Sequence, residues 1–252
     1  FCGPTGVGKT ELAKVVSQYL FGHGKNTDRL VRLDMSEYSS PWAAERLITK
    51  EDRTPSEFIN RVRQLAFVVV VLDEIEKASP EVFDVLLGVL DEGRLTDRYG
   101  RTTTFKSAII IMTSNIGASV RRSIGFDGES PDDYESEARS FFRPEFFNRI
   151  DSVVTFGPLD RDSCLAITRK ELDDIQRREG LVKANLSLQF CDSLVEHLVK
   201  QGFDPRYGAR PLQRTIETAV VSPLSRYLIE SPGVKNRVLR LDIDPEGNCE
   251  IR

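Results

Sequence analysis

Between residues 1 and about 157, apolar runs of strand length alternate with apolar residues at helical spacing. Leu30-Val-Arg-Leu-Asp-Met35 reads as a strand. Phe67 to Glu74, "FVVVVLDE", is an unbroken β-branched run, the pattern of a strand buried on both faces of a parallel sheet. Ser107 to Asn115, "SAIIIMTSN", is a second such strand. Between them Ser79-Pro80-Glu81 opens a helix, with serine as N-cap and proline in the first turn. Phe83, Leu86, Leu87 and Leu90 line one face of it, and Gly93 stops it. Leu12, Val15, Val16 and Leu20 have the spacing of another helical face. The alternation predicts an α/β fold, a parallel sheet flanked by helices.

From Pro158 the pattern changes. Asp160–Arg178, Ser187–Lys200 and Pro211–Glu230 read as helices. Arg237–Ile243 and Cys249–Arg252 read as a short closing sheet, joined by a turn at Pro245-Glu246-Gly247. The expected organisation is therefore a large domain over 1–157 and a small, mainly helical domain with a short sheet over 158–252. "GFDGESPDD", Gly125 to Asp133, reads as a mobile loop. There is no internal repeat.

The first helix is preceded by "FCGPTGVGKTEL". The spacing Gly3-x-x-x-x-Gly8-Lys9-Thr10 fits a phosphate-binding loop. Glycines, here Gly3, Gly6 and Gly8, let backbone N–H groups approach an anion without intervening side chains. Pro4, Thr5 and Val7 complete the cradle, and the following helix adds the positive end of its dipole. Lys9 would reach the β- and γ-phosphates of a nucleotide, and the Thr10 hydroxyl would ligate Mg²⁺. A plain glycine-rich turn leaves the Gly-Lys-Thr run unexplained. Only Phe1 and Cys2 stand where a buried strand is expected, so a chain trimmed at its start is the expectation.

The strand at 67–74 ends in Asp73-Glu74. Two carboxylates at the carboxyl end of a central strand are costly unless a ligand there uses them. Asp73 is placed to hold Mg²⁺, and Glu74 to act as the base that activates a water. A pair of acids favouring a helix dipole explains one of them better than both. Asn115, ending the next buried strand, can position the same water, although asparagine at a strand end is usually a turn residue.

Composition narrows the classes. The chain has 252 residues and a formal net charge of −4, with no basic stripe, so neither a nucleic-acid nor a membrane partner is expected. No apolar run approaches membrane-spanning length. Cys2, Cys164, Cys191 and Cys249 lack zinc or C-x-x-C spacing and read as thiols in a reducing cytoplasm. With two histidines, His23 and His197, a histidine-rich metal site or a Ser-His-Asp triad is a poor fit.

Six segments taken together, "GPTGVGKTELAK", "LDMSEY", "VVLDEIEKASPEVFDVLLGVLDEGRLTD", "IIIMTSNIGAS", "FRPEFFNRID" and "GFDPRYGARPLQRTI", resemble the second ATPase module of Clp-family AAA+ unfoldases. The resemblance covers nearly the whole chain. It implies a nucleotide-binding α/β core with a helical lid, ATP and Mg²⁺ as cofactors, and hexamers with ATP between subunits. It places Lys9, Thr10, Asp73, Glu74 and Asn115 among the nucleotide and hydrolysis residues. It implies that Arg149 is an arginine finger reaching a neighbour's site, and that Arg210 is a lid arginine sensing the γ-phosphate. A planar donor fork suits phosphate charge.

One departure stands out. Between the helices ending at Ile48 and starting near Ser56, the family has a glycine-rich loop with an aromatic-Val-Gly grip on substrate. This chain has only "TKEDRTP", Thr49 to Pro55. Either the grip is absent or a segment is missing there, and omission is the expectation. Tyr99, at an expected hairpin tip, is read equally as a second pore contact or as a locally packed turn aromatic. Ile124-Gly125-Phe126 is similar to the tripeptide that docks protease-coupled members onto a peptidase, or else tucks into the domain's own core. The function expected is an ATP-driven motor acting on unfolded or aggregated proteins. The alternative is a regulatory or scaffold ATPase that assembles on ATP without threading. A nucleic-acid-remodelling ATPase fits the acidic balance poorly.

Overall fold

The computed structural model describes residues 1–22, 29–117, 131–204, 207–244 and 246–251. The chain forms two compact units, one of Phe1–Pro4 with Gly8–Gly157, the other of Thr5–Val7 with Pro158–Arg252.

In chain order the first unit carries α1 (Lys9–Phe21), β1 (Leu30–Asp34), α2 (Ala43–Ile48), α3 (Glu57–Gln64), β2 (Val68–Asp73) and α4 (Pro80–Glu92). It continues with β3 (Arg94–Thr96), β4 (Thr102–Thr104), β5 (Ala108–Met112), α5 (Pro131–Phe141) and α6 (Pro144–Phe147). The main sheet has the order β1-β2-β5, all parallel, with Asp34 opposite Asp73 and Leu72 opposite Met112. Cys2 extends it by parallel bridges to Ser114 and Thr155, just before the glycine loop.

Every residue of β2 is buried, and the strand's two-residue period divides them between two cores. Val68, Val70 and Leu72 pack with Met35, Leu47, Ile59 and Phe146. Val69 and Val71 pack with Ala13 and Ile111. The face expected for α1 is corrected in part: Val16 packs against the core beside Val69 and Val71, and the other three expected residues do not. Ala13 and Ser17 are its buried residues beside Lys9, while Leu12, Val15 and Leu20 are exposed. Small side chains let the helix lie close on the sheet, and that closeness decides which face turns inward. In α4 the buried line is Val82, Leu86 and Val89, with Phe83, Leu87 and Leu90 only partly buried beside it. Ser79 stands at its N-cap without a side-chain cap bond, and Gly93 ends it in the left-handed conformation, φ 61°.

The α2–α3 connection is a closed turn. Thr49 bridges Pro55, the Lys50 N–H reaches the Thr54 carbonyl at 2.8 Å, and Asp52 accepts from the Thr54 N–H at 2.9 Å. Pro131–Asp133, expected in the mobile loop, instead open α5. The rest of that expected loop, with Ile124, Gly125 and Phe126, lies outside the described residues.

The second unit carries α7 (Arg161–Gln176), α8 (Glu179–Lys183), β6 (Leu186–Phe190), α9 (Asp192–Gly202), α10 (Arg210–Ile216), α11 (Ser222–Glu230), β7 (Arg237–Ile243) and β8 (Cys249–Ile251). β6 pairs parallel with β7, and β7 antiparallel with β8. The expected helix over Ser187–Lys200 is corrected: its first part is β6. Leu186 and Leu188 alternate inward there, and the helix starts only at Asp192. A π-turn, Glu217–Val221, joins α10 to α11 just before Pro223. The wider turn accommodates a residue that has no N–H for the helical ladder. Leu172, Leu194, Leu198, Leu212 and Leu241 form the core of this unit.

Candidate functional site

Three consecutive features of the first unit converge at the carboxyl ends of its parallel strands, where α/β sheets bind ligands. The first is the two ends of the glycine loop, Gly3–Pro4 and Gly8, with the start of α1. Gly3 has φ 148°, and a Cβ there would lie 2.4 Å from the Phe156 carbonyl oxygen, so only glycine fits. Gly8, φ 99°, caps α1, and a Cβ added to it meets nothing within 4 Å. Open space beside a helix N-terminus suits an anion. Lys9 is only 7% exposed. Its Nζ donates to the Gly3 carbonyl at 2.7 Å, the Pro4 carbonyl at 2.6 Å and Asn115 Oδ1 at 2.9 Å.

The second is Asp73, the buried last residue of β2. Its Oδ1 accepts from Thr10 Oγ1 at 2.9 Å and from Thr113 Oγ1. Its Oδ2 accepts from Arg32 on β1, from Nε at 3.0 Å and from Nη2. Burial pushes the Asp73 carboxyl up, but the hydrogen bonds from Thr113, Arg32 and Thr10 outweigh it and hold the group below the ordinary carboxylate range. A hydroxyl and a carboxylate oxygen 2.9 Å apart are hard oxygen donors of the kind Mg²⁺ takes, one or two per site with the rest from water and phosphate. Among the described residues no cluster of three or more His, Cys, Asp or Glu could hold a metal. The Thr10 hydroxyl and the Asp73 carboxylate are donors that a hard cation such as Mg²⁺ accepts.

The third is the segment after β2. Glu74 sits in the left-handed region, φ 55° and ψ 51°, a strained conformation for a residue with a Cβ. Its N–H donates to Thr113 Oγ1 at 3.1 Å. Asn115 Nδ2 reaches Glu74 Oε1 at 3.4 Å, and the Asn115 N–H donates to Glu76 Oε1 at 3.1 Å. Asn115 thus links Lys9 on one side to Glu74 on the other.

Lys9, Asn115 and Glu74 form one hydrogen-bonded chain and Thr10 and Asp73 a second, and Thr113 joins the two into a single group by donating to Asp73 Oδ1 and accepting from the Glu74 N–H. Thr5, Gly6 and Val7 group with the second unit, where Arg210 is the first residue of α10. Arg149 follows α6. It is half exposed, forms an ion pair with Asp91 of α4, and lines a cavity of about 450 Å³ with Val89, Leu90, Phe142 and Phe147. That cavity is lined by none of Lys9, Thr10, Asp73 or Glu74. Tyr99 sits at the tip of the β3–β4 hairpin with the Arg98 and Arg101 guanidinium groups 5.0 and 5.1 Å from its ring. Arg98 pairs with Glu45 of α2, and Arg101 donates to the Arg53 carbonyl at 2.9 Å, tying the hairpin to the closed α2–α3 turn.

Sequence reading missed Arg32, Thr113 and Glu76. Each meets the group through a neighbouring strand or the following turn. The available signal was the register: Arg32 lies two residues before Asp34, the residue paired with Asp73.

Residues 1–153 match the family model "AAA domain (Cdc48 subfamily)", and residues 159–240 match "C-terminal, D2-small domain, of ClpB protein". The chain is 42% identical over 254 residues to the chaperone protein ClpB of Bacillus cereus, covering 97% of this chain and 29% of the relative. It is 40% identical over 261 residues to the ATP-dependent Clp protease ATP-binding subunit ClpE of Streptococcus pneumoniae, covering 100% and 34%. For the corresponding ClpC subunit of Staphylococcus epidermidis the figures are 38% over 260 residues, 97% and 31%. The chain thus spans about a third of the length of these curated relatives.

Proposed function

The chain belongs to the Clp family of AAA+ ATPases, and from that premise we propose that it is a motor module that hydrolyses ATP to unfold and thread proteins, for disaggregation or for delivery to a peptidase. The observation that carries the reading is the single group in which Asn115 bridges Lys9 and Glu74 while Asp73 meets Thr10.

In this reading the Gly3–Gly8 backbone and Lys9 bind the phosphates of ATP, and Thr10 and Asp73 hold Mg²⁺. When bound, Mg²⁺ neutralises charge on the β- and γ-phosphates. Glu74 takes the proton of the attacking water, and Asn115 orients that water. Lys9 has to exchange its carbonyl partners for phosphate oxygens, which are stronger acceptors because they are charged. Arg149 acts on the site of a neighbouring subunit in a hexamer, and Arg210 senses the γ-phosphate from the lid domain over 158–252. Ile124, Gly125 and Phe126 form the peptidase contact. The reading places the module in the cytoplasm; among the described residues no helix is long and apolar enough to cross a membrane.

Lys9→Ala is expected to lose tight nucleotide binding, because the main cation facing the phosphates is gone. Glu74→Gln is expected to bind ATP and not turn it over, since an amide is a poor base. Equilibrium binding and steady-state phosphate release separate the two, and near-normal turnover in Glu74→Gln refutes Glu74 as base. A second reading, an ATPase that assembles without threading, is favoured by the closed Thr49–Pro55 turn, which carries no aromatic residue and no glycine. Phosphate release stimulated by an unfolded protein supports threading; indifference to it supports the scaffold.

A further inference from the structure

Arg32 has no place in the reading above, yet it makes both hydrogen bonds to Asp73 Oδ2. It comes from the neighbouring strand β1, where it is paired with Val71, so its side chain runs along the sheet to reach the end of β2. The Arg32 side chain is half exposed, whereas the Asp73 side chain is 9% exposed. The two oxygens of Asp73 are thus divided. Oδ1 faces the hydroxyls of Thr10 and Thr113, and Oδ2 faces a fixed positive charge.

We propose that Arg32 is the resident counter-ion and positioning residue of Asp73: its guanidinium fixes Oδ1 toward Thr10 and keeps the carboxylate charge-balanced, so that the nucleotide-free site binds a divalent cation poorly and takes it up with nucleotide. The inference deepens the ATPase reading and rests on it. The physics is direct. Arginine stays charged at every relevant pH, so it opposes a second cation at the same carboxylate whatever the conditions. The opposition persists in salt because the Asp73 side chain is mostly buried, and a partly buried pair is screened less than an exposed one. A nucleotide supplies several negative oxygens at once, and these offset the repulsion in a way that one carboxylate cannot. A packing role for Arg32 alone predicts no such dependence on charge.

The test uses Mn²⁺ as the probe on the whole chain: without ATP its binding is followed by loss of the free-ion electron paramagnetic resonance signal, and with ATP, which itself chelates Mn²⁺, by co-retention of Mn²⁺ and ATP with the protein in equilibrium dialysis. Thermal melting checks the fold of each variant. Arg32→Gln, and Arg32→Met as a second neutral variant that keeps the apolar stem, are expected to bind Mn²⁺ without nucleotide about tenfold or more tightly than wild type. Arg32→Lys, which keeps the charge, is expected to stay within about threefold of wild type. Adding Asp73→Asn to either neutral variant should abolish the gain, which places the metal at Asp73. Unchanged or weaker Mn²⁺ binding in the folded neutral variants, with Mn²⁺ and ATP still binding wild type together, overturns the role of Arg32 and leaves the ATPase reading standing. Failure of wild type to bind Mn²⁺ with ATP overturns both.

Discussion

At the residue scale, Asp73 shows how a carboxylate stays ionised while buried. Burial alone would favour the neutral acid, and four donors from Thr10, Thr113 and Arg32 reverse that. The sign of the pH dependence follows. A carboxyl whose folded pKa lies below its unfolded value contributes stability that is complete above the unfolded value, here 3.8, and is lost as the pH falls toward the lower folded value. Denaturant unfolding of wild type and Asp73→Asn should therefore differ most near neutral pH, with wild type the more stable. The gap should close in acid below the ordinary carboxylate range. A gap that is constant across that range would assign the effect to shape and not to charge. The members of this group were legible in the sequence to different degrees. Lys9 and Thr10 are announced by loop spacing, and Asp73 and Glu74 by acids at the end of an apolar run. Arg32 and Thr113 act across strands, so nothing in their own neighbourhood marks them.

At the element scale, the sequence announces most clearly those elements whose burial is complete. β2 is apolar on both faces, and no other arrangement suits a run of four valines. Elements set by tertiary choice are harder. The apolar residues of α1 allow two faces, and the sheet takes the one with Ala13 and Ser17 because it permits closer approach. β6 was hidden because its alternation is brief and runs straight into α9. Leu188 is legible as a strand residue only once β7 is known to lie beside it. The second unit then rests on a few leucines. Leu198 in α9 is fully buried against that core. Leu198→Ala should lower stability by about 2–5 kcal/mol through lost transfer energy plus a residual cavity. Chemical denaturation followed by far-ultraviolet circular dichroism measures it. A change under about 1 kcal/mol would mean that the helices around it collapse to fill the space.

At the scale of the whole molecule, the proposed finger has to be free to leave its own subunit. Arg149 is paired with Asp91, but the arginine side chain is 50% exposed and the aspartate 39%. An ion pair so open to water contributes about 0.2–1 kcal/mol. An arginine finger changes the rate on the order of 10³–10⁵-fold, equivalent to about 4–7 kcal/mol of barrier. The larger quantity decides, so the Asp91 pair holds Arg149 in place without preventing its release. Asp91→Ala should accordingly leave hydrolysis within about threefold of wild type, while Arg149→Ala should lose it almost entirely and still bind ATP. Action across a subunit boundary makes a sharper demand. Lys9→Ala subunits lack a working site but keep the finger, and Arg149→Ala subunits have the reverse defect. Mixed at equal amounts they should hydrolyse ATP faster than either alone, because some neighbours combine an intact site with an intact finger. Phosphate release from the mixture, with co-assembly checked by sedimentation, measures this. A mixture no faster than its components would place the action of Arg149 within its own chain, and the half-exposed pair with Asp91 would then be a surface contact and not a finger at rest.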